Sequence, residues 1–238
     1  MFFINPLYWL VIGVSIALSA WAAFKVKGTF ARFSRYITRS GLSGADVARR
    51  ILSDNGIHDV TIEPVRGSLT DHYDPTSKTL RLSEPVYAGR SMAAFGVAAH
   101  EVGHAIQHAH AYAPLKFRSA WVPVANLGGG ISMAVIILAL VLGGAATAVG
   151  GTMALIGVIL MATTTVFTLV TLPVELDASR RALLALEHGG YVSSEELEGA
   201  RKVLNAAALT YVMAFVSSLL MLLYWAYALG LFGGGGSD

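Results

Sequence analysis

From Val122 to Val174 the chain reads VPVANLGGGISMAVIILALVLGGAATAVGGTMALIGVILMATTTVFTLVTLPV, without a single Asp, Glu, Lys or Arg. Two apolar runs lie in it, 122–149 and 152–172, parted by Gly150 and Gly151. Each meets or exceeds the ~18 residues that a helix needs to cross a bilayer. Two more runs of the same kind stand at 7–24 and 206–232. Over all 238 residues 55% are hydrophobic and only 13% are charged, too few charges to coat a water-soluble domain. The expected fold is mainly α and integral to a membrane, with four transmembrane helices.

The charges orient those helices. The run at 7–24 has no basic start and is followed by Lys25, Lys27, Arg32, Arg35 and Arg39, the reverse of a cleaved signal peptide. All 17 Lys and Arg lie in two stretches, Lys25 to Arg118 and Arg180 to Lys202. Four spans put both stretches on one side, which the positive-inside rule makes cytoplasmic. The prediction is a multi-pass protein of the cell membrane with both termini outside. No basic run interleaves with aromatic residues, so the expected contact is the lipid bilayer and not nucleic acid. Glycines at 128–130, 143, 144, 150 and 151 permit close helix packing, within a homo-oligomer or against a membrane partner protein as well as within the chain. The absence of Cys excludes disulfides and thiolate metal ligands.

Residues 25–121 then form a cytoplasmic domain. Val26 to Ser40 is basic with Phe30, Phe33 and Tyr36 interspersed, a helix along the membrane surface or a linker. Ser43 with Asp46 three residues later predicts a capped helix ending near Asn55 and Gly56. His58 to Val65 alternates and reads as a strand ended by Pro64, Asp71 to Pro75 as a turn-rich loop, and Thr79 to Ser83 as a second strand. Ser91 to Tyr112 is Ala-rich and free of proline, a helix with Pro114 as its stop. In 173–205, a helix from Val174 to Glu187 stops at Gly189-Gly190 and another begins at Ser193 to Glu196. Residues 233–238 read as a flexible tail.

The helix at 91–112 carries His100-Glu101-Val102-Gly103-His104. Residues four apart share a helix face, so both imidazoles can reach one metal ion, with Glu101 beside it as a base. This is the pattern of a zinc-dependent hydrolase, one Zn²⁺ per chain. A catalytic zinc takes three protein ligands. His108 fails as the third, because eight helical residues place it about 12 Å from His100. A carboxylate near the foot of the third span remains, Glu175 with Asp177 as the alternative. A helix turns the two about 160° apart, so only one of them ligates. For an oxyanion stabiliser, His72, Tyr73 and Asn205 have suitable chemistry, though each reads more simply as structural.

The residues also carry a resemblance. Phe24-Lys25-Val26-Lys27, Gly44 to Leu52, Leu69 to Pro75, Ala98 to His108, Leu172 to Ala182 and Gly199 to Ala208 resemble the YugP-type family of bacterial membrane zinc metallopeptidases. The resemblance implies a small α+β zincin-like domain carrying the motif helix. It further implies cleavage of membrane or unfolded proteins at the cytoplasmic face. More distantly the order of parts is similar to membrane gluzincins of the CAAX-protease kind, which pair the motif with a later Glu-x-x-x-Asp. Their glutamate corresponds to Glu175 and their aspartate to Ser179, which favours Glu175 as ligand and departs from the pattern at Ser179. Related folds also place an edge strand where Thr79 to Ser83 stands, which would let a substrate add as a further strand. A non-catalytic zinc-binding membrane scaffold or regulatory subunit shares the same topology and is the alternative. An intramembrane site is disfavoured by Arg90, Glu101, His108 and His110.

Overall fold

The computed structural model describes residues 5–231, so Phe232 and the tail at 233–238 lie outside the described residues. It divides into two compact units. The first comprises the chain up to Trp21, Phe117–Thr171 and the chain from Tyr211 onwards; the second comprises Ala22–Lys116 and Leu172–Thr210.

Segments of four long helices supply the first unit: α1 Pro6–Phe33, α5 Ala113–Val141, α6 Ala148–His188 and α7 Ser194–Ala228, whose remaining turns belong to the second. Each holds an apolar window long enough to cross a membrane, making four candidate membrane-spanning helices among the described residues. Tyr8, Ile136, Val158, Met161, Tyr224 and Trp225 pack its interior. Close approach depends on small residues: a Cβ added at Gly128 would stand 2.5 Å from the Leu160 carbonyl oxygen. Beside it, Trp121 Nε1 donates to the Thr163 carbonyl at 3.0 Å. Leu10, Ile16 and Ile159 are more than half exposed, the surface that hydrocarbon, not water, accommodates.

The second unit is built around α4, Met92–Ala109. Its buried face (Phe95, Ala98, Ala99, Val102, Ile106) packs on Val47, Ile51 and Leu52 of α2, Gly44–Asp54. Further contacts to the same core come from Leu80 and Leu82 and from Ala182, Leu186, Ala200 and Leu204. Helix α2 has the expected capping box: Ser43 accepts from the Asp46 amide and Asp46 accepts from the Ser43 amide. Asn55 and Gly56 end it, the latter at φ +68°.

A three-stranded sheet of order β1-β3-β2 accompanies the helices, with β1 Thr61–Val65, β2 His72–Asp74 and β3 Thr79–Ser83. Strand β1 runs parallel to β3 and β2 antiparallel to it. Three expectations are corrected here. Thr79–Ser83 is not an edge strand: both of its sides are hydrogen-bonded, so it offers no free backbone to a substrate. Residues 72–74, read as loop, are a strand. Pro64 does not end β1 but sits within it, tolerated because β1 is at the edge of the sheet.

Helix boundaries differ from expectation for local reasons. Helix α4 stops at Ala109 because Ala111 takes a left-handed φ of +53°; Pro114 lies in the first turn of α5, where its missing N–H costs nothing. Helix α1 runs on to Phe33 without a separate surface helix. Helix α6 continues past Pro173 to His188, and Gly190 at φ +64° supplies the stop. A short helix α3, Glu84–Tyr87, joins β3 to α4.

Candidate metal centre

Helix α4 presents His100 and His104 one turn apart, and helix α6 presents Glu175 and Ser179 one turn apart. Gly103 brings the two helices together. A Cβ there would lie 2.4 Å from the Ala178 carbonyl oxygen, so only glycine allows this approach. Ala178 lies between Glu175 and Ser179 in sequence, and the contact places both side chains over the histidines.

His100 Nε2 lies 3.2 Å from Glu175 Oε2, and His104 Nε2 lies 3.5 Å from the same oxygen. The three ligand atoms lie within 4.8 Å of one another, and all three residues are buried. Four ligands placed tetrahedrally about 2.05 Å from a zinc ion stand about 3.3 Å apart. The donor set therefore fits zinc in element type, number and spacing.

Both imidazoles are held from behind. His100 Nδ1 lies 3.1 Å from Ser179 Oγ. His104 Nδ1 lies 3.0 Å from Gln107 Oε1. The Gln107 amide nitrogen donates to the Val174 carbonyl at 2.8 Å and to Asp177 Oδ2 at 3.0 Å. Two acceptors at that nitrogen fix the orientation of the amide, which leaves its oxygen for His104. His104 must then carry a proton on Nδ1, so neutral His104 has a bare lone pair on Nε2.

The electrostatics follow from this enclosure. Burial raises the Glu175 pKa, but hydrogen bonds from His100 and His104 more than reverse it and hold the carboxyl well below its ordinary range. Burial opposes charge on His104, yet the adjoining Glu175 carboxylate prevails and the net shift is upward. Glu101 is buried beside the histidines, 8% exposed.

Asp177 is not part of the ligand cluster. It accepts from Arg180 and Arg181, both at 2.5 Å, as well as from Gln107. Burial lifts its pKa, but those donors outweigh it and hold the carboxyl below the usual value. The carboxylate thus acts through Gln107 on His104, while Ser179 serves His100. Ser179 and Asp177 therefore stand behind different histidines, Ser179 behind His100 and Asp177, through Gln107, behind His104. Gln107 itself was overlooked. Its signal was a polar residue three positions after His104 and seven after His100, on the helix face that carries both.

The remaining candidates stand elsewhere. Tyr73 Oη lies 2.9 Å from His108 Nδ1, one helical turn past His104. Burial, with the charges of Asp59 and Asp74, pushes the Tyr73 pKa up to about 12. His72 is exposed, its Nδ1 2.9 Å from the Thr70 carbonyl oxygen. His110 meets Arg181 at 3.3 Å. Asn205 lines a groove between α1 and α7.

A family model described as "Putative neutral zinc metallopeptidase" matches residues 8–230. The chain is similar to "Putative membrane protease YugP" of Bacillus subtilis (strain 168), 47% identical over 209 residues, covering 88% of this chain and 90% of the relative. No solved structure matches.

Proposed function

We propose, from the premise that the chain belongs to the neutral zinc metallopeptidase family, that it is a membrane-embedded zinc endopeptidase. It would hold one zinc ion through His100, His104 and Glu175. The observation that carries this reading is the convergence of two imidazole Nε2 atoms and one carboxylate oxygen beside Glu101. The name of the relative, "Putative membrane protease YugP", agrees with it.

Zinc in such a donor set supplies a Lewis acid that polarises a peptide carbonyl and makes water easier to deprotonate. The chain's own residues do the rest. Glu101 accepts the attacking water's proton on a carboxylate oxygen and passes it to the leaving amine nitrogen. Gln107 and Ser179 hold the imidazoles so that the Nε2 lone pairs converge. Glu175 stays anionic and completes the set. Tyr73 keeps its hydroxyl proton at neutral pH and stays bonded to His108, one helical turn past His104. His72, tied to Thr70, has no part in the scheme.

With β3 paired on both sides, the edge strands are β1 and β2; β2 carries Tyr73, whose hydroxyl reaches His108 on α4, and a substrate strand would add along its outer edge. This requires an extended peptide, as unfolded proteins or loosened segments of membrane proteins provide. The clustering of Lys and Arg argues for the cytoplasmic face. In the decisive experiment, Glu101→Gln keeps stoichiometric zinc and loses about 10²–10⁴-fold of the cleavage of an unfolded test protein. Wild-type cleavage by a zinc-loaded Glu101→Gln enzyme would overturn the mechanism.

A further inference from the structure

A groove of about 670 Å³ runs between the Phe24–Phe33 end of α1 and the Lys202–Leu209 turns of α7. On α1 its wall is Lys25, Gly28 and Arg32, and on α7 it is Lys202, Asn205 and Leu209. Both sets follow the i, i+3, i+7 spacing of a helix-packing seam. Such a seam is ordinarily apolar on both sides. This one sets Lys25 and Arg32 across from Lys202, and none of its lining residues is acidic. Beside it, Glu198 lies 3.7 Å from Lys202 Nζ and 3.5 Å from Arg201 Nε; all three are exposed, and such pairs contribute little.

Gly28 shows that the seam is open as well as charged. A Cβ added there would meet nothing within 4 Å. A glycine inside a helix costs about 1 kcal/mol relative to alanine, and no close helix contact accounts for this one. Facing cations across unfilled space repel unless an anion lies between them. The groove also has an apolar end. Phe24 and Leu209 line it, Phe24 is 76% exposed, and both residues fall at the ends of apolar runs that reach from 7 to 24 and from 206 onwards. Where a spanning helix leaves the hydrocarbon, phosphodiester groups are the abundant anions.

We propose that this groove binds one anionic phospholipid. Its phosphodiester sits among Lys25, Arg32 and Lys202, the Asn205 amide donates to it, and the start of its acyl chains lies on Phe24 and Leu209. The proposal rests on α1 and α7 spanning a bilayer and is independent of the peptidase reading. An occupant would bridge α1 to α7, the helix whose Gly199 lies close against Met92 at the start of α4.

The test is native mass spectrometry of the full chain in detergent, titrated with phosphatidylglycerol or phosphatidylcholine. The expected result is one retained phosphatidylglycerol per chain with about tenfold preference over phosphatidylcholine. The Arg32→Gln/Lys202→Gln pair abolishes the preference, whereas Arg49→Gln/Arg50→Gln on α2 leaves it intact. Gly28→Leu keeps every charge, fills open space with a better helix former, and also removes the bound lipid. Equal retention of the two lipids by wild type would overturn the proposal, as would a preference surviving in both groove variants. Displacement of the lipid by millimolar inorganic phosphate would assign the cations to a free anion and overturn it equally.

Discussion

Gln107 donates to Asp177 across 3.0 Å, joining the helix of the two histidines to a carboxylate that does not touch the ligand cluster. The amide then accepts from His104 with its oxygen. Gln107→Leu leaves His104 without that acceptor and leaves Asp177 with its two arginines. Zinc affinity, measured by competition with a chelator, should fall about 10–100-fold. Wild-type retention of zinc by this variant would mean that the relay has no influence on the site.

Ser179 gives the corresponding prediction for His100. Ser179→Ala removes the partner of Nδ1 at 3.1 Å while keeping helix α6. Zinc affinity should drop within the same 10–100-fold range. Ser179→Asp, which restores a stronger acceptor at that place, should recover much of it.

Gly103 links fold stability to the site. Gly103→Ala forces a methyl group to within 2.4 Å of the Ala178 carbonyl oxygen unless the helices part. The expected cost is about 1–3 kcal/mol of stability. Because Glu175 moves with Ala178, weaker zinc retention should accompany the lower melting temperature. At Gly56 the same substitution meets open space but a left-handed φ, so it strains the backbone locally and should spare zinc binding.

Acid should loosen the start of α7. Glu196 accepts from the Ser193 amide at 2.7 Å with one oxygen and from the Arg39 amide at 2.6 Å with the other. Burial raises its pKa, but these bonds prevail and hold it below the ordinary carboxylate value. A depressed pKa contributes stability above the unfolded value, about 4.3, and that stability fades as pH falls through the lower folded value. Glu196→Gln has only one acceptor oxygen and should melt about 2–4 °C below wild type at pH 7. The gap should narrow as the pH drops below 4.3.

Periodicity made much of this legible. The i, i+4 pairing of His100 with His104 and of Glu175 with Ser179 is arithmetic on helices, and the Ser43–Asp46 box is a local motif. The apolar runs announced the four candidate spans by length alone. Relationships distant along the chain were hidden. Strand order β1-β3-β2 cannot be read from short strands, and with 72–74 taken as loop nothing in the sequence opposes the edge position that related folds suggest for Thr79–Ser83. Its burial on both faces, at Leu80 and Leu82 as well as Thr79 and Ser83, marks it as central. Arg81 likewise answers to acids on both neighbours, Glu63 at 3.6 Å and Asp74 at 3.5 Å. The Gln107–Asp177 contact spans 70 residues, and nothing local to either residue reveals it.

The second bond of the Gln107 amide nitrogen carries a longer consequence. Its acceptor is the main-chain oxygen of Val174, an atom that every amino acid possesses. Evolutionary drift at position 174 can exchange the side chain without erasing the cue that keeps the amide turned the right way. The protonation pattern of His104 is therefore inherited from the backbone of a neighbouring helix. It is robust to mutation there and vulnerable only where that helix changes its course.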